Sequence, residues 1–225
     1  MTSGDKSDLN PVFLDTLASD GFAVASVNYR LAPRFKFPAQ IEDVKCAIRY
    51  LRAEASRYGL NGSEVFAFGT SVGGQLVALA ALTGPHSAFD VGPYATEPSN
   101  LLAVADLFGP ANLNERASGF SPSDIQQVFG PDDHRDLALA SPTHYAIPNS
   151  PPILLVQGVD DTLVLKSQSI ELYSDLTAAR DQARLVLVQN MGHMFKQVGP
   201  KPLDPSLRQI AQDVVSFFSR YIDAA

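Results

Sequence analysis

Hydrophobic positions along this chain change period several times, and each change marks an element. After Pro38, residues Ile41, Val44, Ile48, Leu51 and Ala55 recur at three- and four-residue steps until Gly59, the spacing that lines one face of a helix. Asn10-Pro11 reads as an N-cap with proline in the first helical position and Gly21 as a left-handed stop, which predicts a helix over 11–19. Between these, Phe22–Tyr29 is rich in Val and Ala and too short for a typical helix, so a strand is expected there.

Four further short apolar runs, 64–69, 101–108, 153–157 and 184–189, read as strands buried on both faces. The first turns directly into Ser71–Leu82, where glycines give way to alanines and leucines, and helices at about 166–178 and 207–223 follow the last two. Strands alternating with helices imply βαβ units, hence a mainly parallel sheet with helices on both faces. Two stretches break the alternation, 84–100 and 110–150, and long insertions after strand ends are where such folds place binding loops. One domain spanning 1–225, with a rim built from these two segments, is the expected organisation.

Composition narrows the partners. With 225 residues, 45% of them apolar, the chain can bury a substantial core. The formal net charge of −7 leaves no basic face for phosphate backbones or anionic lipid. Nucleic acid and membrane are therefore not expected partners. The apolar runs fall far short of the roughly 18 residues that span a bilayer, and the start MTSGDKSDLN carries no basic-then-apolar leader pattern. A cytoplasmic protein is the expectation. Cys46 is the single cysteine, which excludes an internal disulfide and any cysteine-cluster metal site.

The chemistry-bearing pattern is Gly69-Thr70-Ser71-Val72-Gly73, a G-x-S-x-G at the junction of a strand and a helix. A serine on such a sharp turn has an exposed hydroxyl, and the following helix N-terminus, beginning with the Val72 N–H, adds partial positive charge where an oxyanion forms. Gly69–Gly74 also satisfies G-x-x-x-x-G, but Gln75-Leu76 follows in place of Lys-Ser/Thr, so a phosphate loop is not supported. A nucleophilic serine needs a histidine base held by a carboxylate. Of the four histidines, His86, His134 and His144 fall in the irregular stretches, whereas His193 follows the last strand, at the carboxyl edge where such sheets present their functional residues. Asp160 and Asp161 lie between serine and histidine in chain order, and either suits the acid. No histidine pair has metal-ligand spacing, and no metal or cofactor is expected.

With these residues in place, Phe22–Pro33, then Phe37-Pro38-Ala39-Gln40 with Asp43, resemble bacterial α/β-hydrolase esterases of the BD-FAE and hormone-sensitive-lipase-like type. The resemblance continues through Gly69–Gly74, Phe108-Gly109-Pro110, Ala140-Ser141-Pro142 with Tyr145, and Gly192-His193. The family's H-G-x-x-D-x-x-V acid motif falls on Gln157–Val164, with Gln157 in place of histidine, which assigns the acid to Asp161. Val72 stands where alanine is usual.

The resemblance implies a carboxylic ester hydrolase: Ser71 as nucleophile, His193 as base, Asp161 as its orienting acid, and an acyl-enzyme. It also implies an N-terminally truncated form of the α/β-hydrolase fold, because the family's first three strands and its H-G-G-G-like oxyanion loop have no counterpart here. The third of those strands normally separates the segments matching 22–29 and 64–69, so these two are expected either to close up or to leave a slot for a partner. Weakened turnover follows unless Thr2–Gly4 supply a second oxyanion donor, and an unpaired strand edge would favour a homo-oligomer. Phe89, Tyr94, Phe120, Phe129 and Tyr145 are candidate walls of a pocket for a small ester with a short acyl group. Aryl formamide or acylated carbohydrate substrates are alternatives within the enzyme class, and a non-catalytic binding or assembly module is the alternative outside it.

Overall fold

The computed structural model describes residues 1–130 and 134–222. Four strands, β1 (Ala67–Thr70), β2 (Val104–Leu107), β3 (Ile153–Gly158) and β4 (Ala183–Val188), form one parallel sheet in the order β1-β2-β3-β4. The register aligns Ala67 with Val104, Val104 with Ile153 and Ile153 with Ala183. Every crossover returns to the same end of the sheet, so the residues that follow the strands converge along one edge.

The helices are α1 (Pro11–Ser19), α2 (Ala39–Ala53), the single turn α3 (Ala55–Tyr58), α4 (Val72–Leu82), α5 (Pro122–Val128), α6 (His134–Leu139), α7 (Ser167–Ala178) and α8 (Leu207–Ser219). Asn10 caps α1 by accepting from the Val12 N–H, and Ser206 with Gln209 forms a reciprocal capping box on α8. Alternate strand residues feed two cores. Val104, Ile153 and Leu155 pack with α2, α4 and α7, while Ala105, Leu107, Leu154 and Val156 pack with α1 and α8. Helix α4 is buried from Gly74 to Leu82, as its Ala- and Leu-rich sequence requires.

Phe22–Tyr29 is not a strand. Phe22 packs on the rings of Phe66 and Phe218 at 5.9 and 6.2 Å, but among the described residues β1 pairs only with β2. The two segments meet through side chains without forming a ladder, and a Val- and Ala-rich run with no hydrogen-bonded neighbour is not a strand. The stretch 110–150 is less irregular than expected, because Ser121, Pro122 and Asp124 build a capped start for α5 and a further helix, α6, follows. The expected helix over 207–223 ends at Ser219, and position 223 lies outside the described residues.

The segment 84–100 contains no helix or strand and is anchored by charge. Lys45 and Arg49, both fully buried on α2, converge on Asp90 at 3.1 and 2.8 Å. Lys45 also donates to the Gly84 carbonyl and the Ser99 hydroxyl, and Arg49 to the carbonyls of Val91 and Pro93. Each buried cation is thereby supplied with acceptors. Among the described residues no helix is long and apolar enough to cross a membrane.

Candidate active site

Ser71 sits at the join of β1 and α4 with φ 53° and ψ −124°, a conformation in which a side chain is rarely found. Two contacts impose it. The Ser71 N–H donates to the Leu107 carbonyl at 2.9 Å, and Gly69 lies so close to α4 that a Cβ there would stand 2.2 Å from the Gly73 carbonyl oxygen. Gly74 is equally confined, 2.1 Å in the same sense from Oδ1 of Asp106, whereas a Cβ on Gly73 meets nothing within 4 Å. Of the two glycines flanking Ser71 in the motif, only the first is sterically required by this geometry.

His193 Nε2 lies 2.9 Å from Ser71 Oγ, and His193 Nδ1 lies 2.8 Å from Asp161 Oδ2. Asp161 is buried, and its other oxygen accepts the N–H groups of Leu163 and Val164 at 2.9 and 3.1 Å. A carboxylate so placed is an acceptor only, so the imidazole proton belongs on Nδ1 and Nε2 is free to accept the serine hydroxyl proton. Asp160, the other acid considered, is exposed. The three residues come from the ends of β1, β3 and β4, brought together by the parallel topology. His86 and His144 are exposed, and His134 opens α6.

The imidazole is further bounded by Phe108, whose ring meets it edge-on at 5.1 Å. Gln157, the residue departing from the family's acid motif, is buried and points its Nε2 toward Asp161 Oδ2 at 3.3 Å and the Val164 carbonyl at 3.1 Å, while its Oε1 accepts from Ser169. Neither contact is legible from spacing, although both residues belong to sequence segments already singled out. Val72 is the first residue of α4, a position whose N–H has no partner within the helix.

The five aromatic wall candidates divide. Phe120, Phe129 and Phe89 form a connected aromatic group through Phe37, with successive ring separations of 6.3, 5.5 and 5.7 Å. Tyr145 packs on the same apolar cluster and donates its hydroxyl to the Leu139 carbonyl. Tyr94 stands apart, its ring 5.5 Å from Tyr50. A shallow cleft of about 600 Å³ lined by Pro148, Arg180 and Asp181 lies where β3 and β4 begin, at the sheet edge opposite Ser71.

A parallel sheet with helices on both faces, carrying a serine on a strand-to-helix elbow and a histidine after the last strand, defines the α/β-hydrolase class. Within that class the chain belongs to the BD-FAE family, whose model matches residues 2–176. It is 27% identical over 209 residues to Esterase LipC of Mycobacterium tuberculosis, covering 88% of this chain and 51% of that protein. It is 30% identical over 154 residues to Esterase LipQ of the same organism, covering 66% of this chain and 37% of that protein. The chain thus spans about half, or less, of the length of these curated relatives. Among solved structures it resembles a truncated carbohydrate esterase from gut microbiota (TM-score 0.78, 29% identity, 93% of this chain and 78% of that one). It also resembles a bifunctional GH43-CE protein of Bacteroides eggerthii (TM-score 0.81, 29% identity, 98% of this chain and 32% of that one).

Proposed function

We propose that this protein is a serine carboxylic ester hydrolase. The observation that carries the reading is the continuous hydrogen-bonded line from Ser71 through His193 to Asp161, at 2.9 and 2.8 Å. Ser71 Oγ attacks the ester carbonyl carbon while His193 Nε2 takes its proton, and Asp161 stabilises the imidazolium that forms. The Val72 N–H donates to the oxyanion. Collapse of the tetrahedral species breaks the bond to the alcohol oxygen, which receives the proton from His193, and leaves an acyl-Ser71. Water, deprotonated by His193, then releases the carboxylic acid.

One oxyanion donor is typically worth about 2.7–4 kcal/mol, so a second donor matters to turnover. Thr2–Gly4 are the proposed source, following Met1, which is buried in the apolar cluster on which Val72 also packs. For the substrate class, the 29% identity to two proteins described as carbohydrate esterase and GH43-CE favours an acylated carbohydrate, and the acyl group is proposed to be short. The same reading includes self-association through the unpaired side of β1, which light scattering tests by mass.

The deciding experiment is hydrolysis of p-nitrophenyl acetate and butyrate by the wild type, S71A and H193A, followed by acetylated xylan. Turnover by the wild type with both variants at background supports the reading. Equal inactivity of all three, with no labelling of Ser71 by a fluorophosphonate, overturns it in favour of a non-catalytic module.

A further inference from the structure

The mechanism leaves one buried acid without a task. Asp106, in β2, is 1% exposed. Its Oδ1 accepts the Gly109 N–H at 2.8 Å, and its Oδ2 has no hydrogen-bond partner among the described residues. A lone carboxyl in such a place is expensive to keep, and its surroundings are shaped to admit it. Cβ atoms on Gly74 or Gly109 would stand 2.1 and 2.3 Å from Oδ1. The same oxygen therefore touches the first turn of α4, three residues after Ser71, and the turn that ends β2.

That turn is strained. Phe108 has φ 49° in a region that aromatic residues seldom occupy. It persists because its neighbours fix it from both sides: the Phe108 N–H donates to the Val156 carbonyl at 2.7 Å, and the next N–H, that of Gly109, is held by Asp106. In this conformation the Phe108 ring is fully buried, edge-on to His193 at 5.1 Å and to Phe195 at 4.9 Å. The strain thus sets one wall of the imidazole.

We propose that Asp106 is a positioning residue for the hydrolysis proposed above, on which this inference rests. Its Oδ1 clamps the Phe108-Gly109 turn against α4, and so fixes the elements that present Ser71 and His193 to each other. The clamp works through a hydrogen-bond acceptor and a packed volume. Asparagine supplies both, and leucine supplies only the second.

The test compares wild type, D106N and D106L for kcat and KM on p-nitrophenyl acetate, for cooperative unfolding, and by crystal structure. D106N is expected to keep kcat within about threefold, and D106L to lose about tenfold or more in kcat at nearly unchanged KM while still unfolding cooperatively. The Ser71–His193 contact should be retained in D106N and lengthened in D106L. A merely structural role would lower the stability of D106L and leave the kcat of its folded fraction intact, which would overturn the proposal. A D106N enzyme as impaired as D106L would overturn it too, since the acceptor would then not be the operative feature. Should D106L fail to fold, D106A removes the same acceptor and takes its place in each comparison. If the wild type hydrolyses no ester, the proposed function fails separately, and the crystal structures still decide whether Asp106 sets the Ser71–His193 geometry.

Discussion

Gly158 and Met191 are in backbone contact: a Cβ on Gly158 would stand 2.3 Å from the Met191 carbonyl oxygen. That same carbonyl accepts the Asp160 N–H at 3.0 Å. The loop that carries Asp161 and the loop that carries His193 are therefore pinned to each other within three residues of the side chains they present. Replacing Gly158 with alanine forces the loops apart. We expect G158A to lose about 1–3 kcal/mol of stability, the usual cost of overpacking, and to lose turnover more than tenfold because a small misplacement of the base is costly. Urea unfolding alongside p-nitrophenyl acetate kinetics checks both.

The two glycines around Ser71 should behave differently. Alanine at 69 collides with the Gly73 backbone, while alanine at 73 enters open space on a helix. G69A is expected not to reach the native fold or to melt far below the wild type. G73A should melt at or above it, since alanine is better in a helix by about 0.8–1.0 kcal/mol. Thermal unfolding of the two variants is the measurement.

Asp90 should be a stability hot spot although it lies outside the candidate active site. Removing its charge leaves Lys45 and Arg49 buried without a counter-ion, a change that typically costs about 3–5 kcal/mol. Burial by itself would raise the Asp90 pKa, but the Ser99 hydroxyl, the Lys45 ammonium and the Ser87 hydroxyl outweigh it and hold the carboxyl at about 2. A depressed carboxylate stabilises the fold above its unfolded value near 4 and loses that contribution as the pH falls toward 2. The stability gap between wild type and D90N should thus stay constant from neutral pH down to about pH 5 and narrow below it, as denaturant titrations at each pH will show.

Asp106 predicts the opposite trend. Burial pushes it up to about 7, against the lowering effect of the Gly109 N–H. Its neutral form belongs to the folded state, so its contribution is fully present below the unfolded pKa and is lost as the pH rises through about 7. D106N carries no such titration. The melting temperature of D106N relative to wild type should therefore rise between about pH 4 and pH 7 and level off above that. A difference independent of pH would refute it.

What the sequence determined by itself is what local chemistry encodes. The cap at Asn10-Pro11, the apolar stripe of α2, the four short apolar runs and the glycine-flanked Ser71 all act within a few residues of one another, and each appears in the fold where the pattern predicts it, although only β2 and β3 are buried throughout and the outer strands β1 and β4 are half-buried. The order of the strands along the chain also places Ser71, the Asp160-Asp161 pair and His193 at one sheet edge, because parallel crossovers leave little freedom in which edge receives the strand ends. Only the tertiary structure decided the rest. Phe22–Tyr29 has the Val- and Ala-rich composition of a short strand and no ladder to join, since pairing depends on a neighbour and not on the segment itself. Asp90 is tied to Lys45 and Arg49 across more than forty residues, and Asp106 meets Gly74 and Gly109 only when β2 lies beside α4. Burial is what gives both carboxylates their meaning, and burial is a property of the assembled core that no run of neighbouring residues contains.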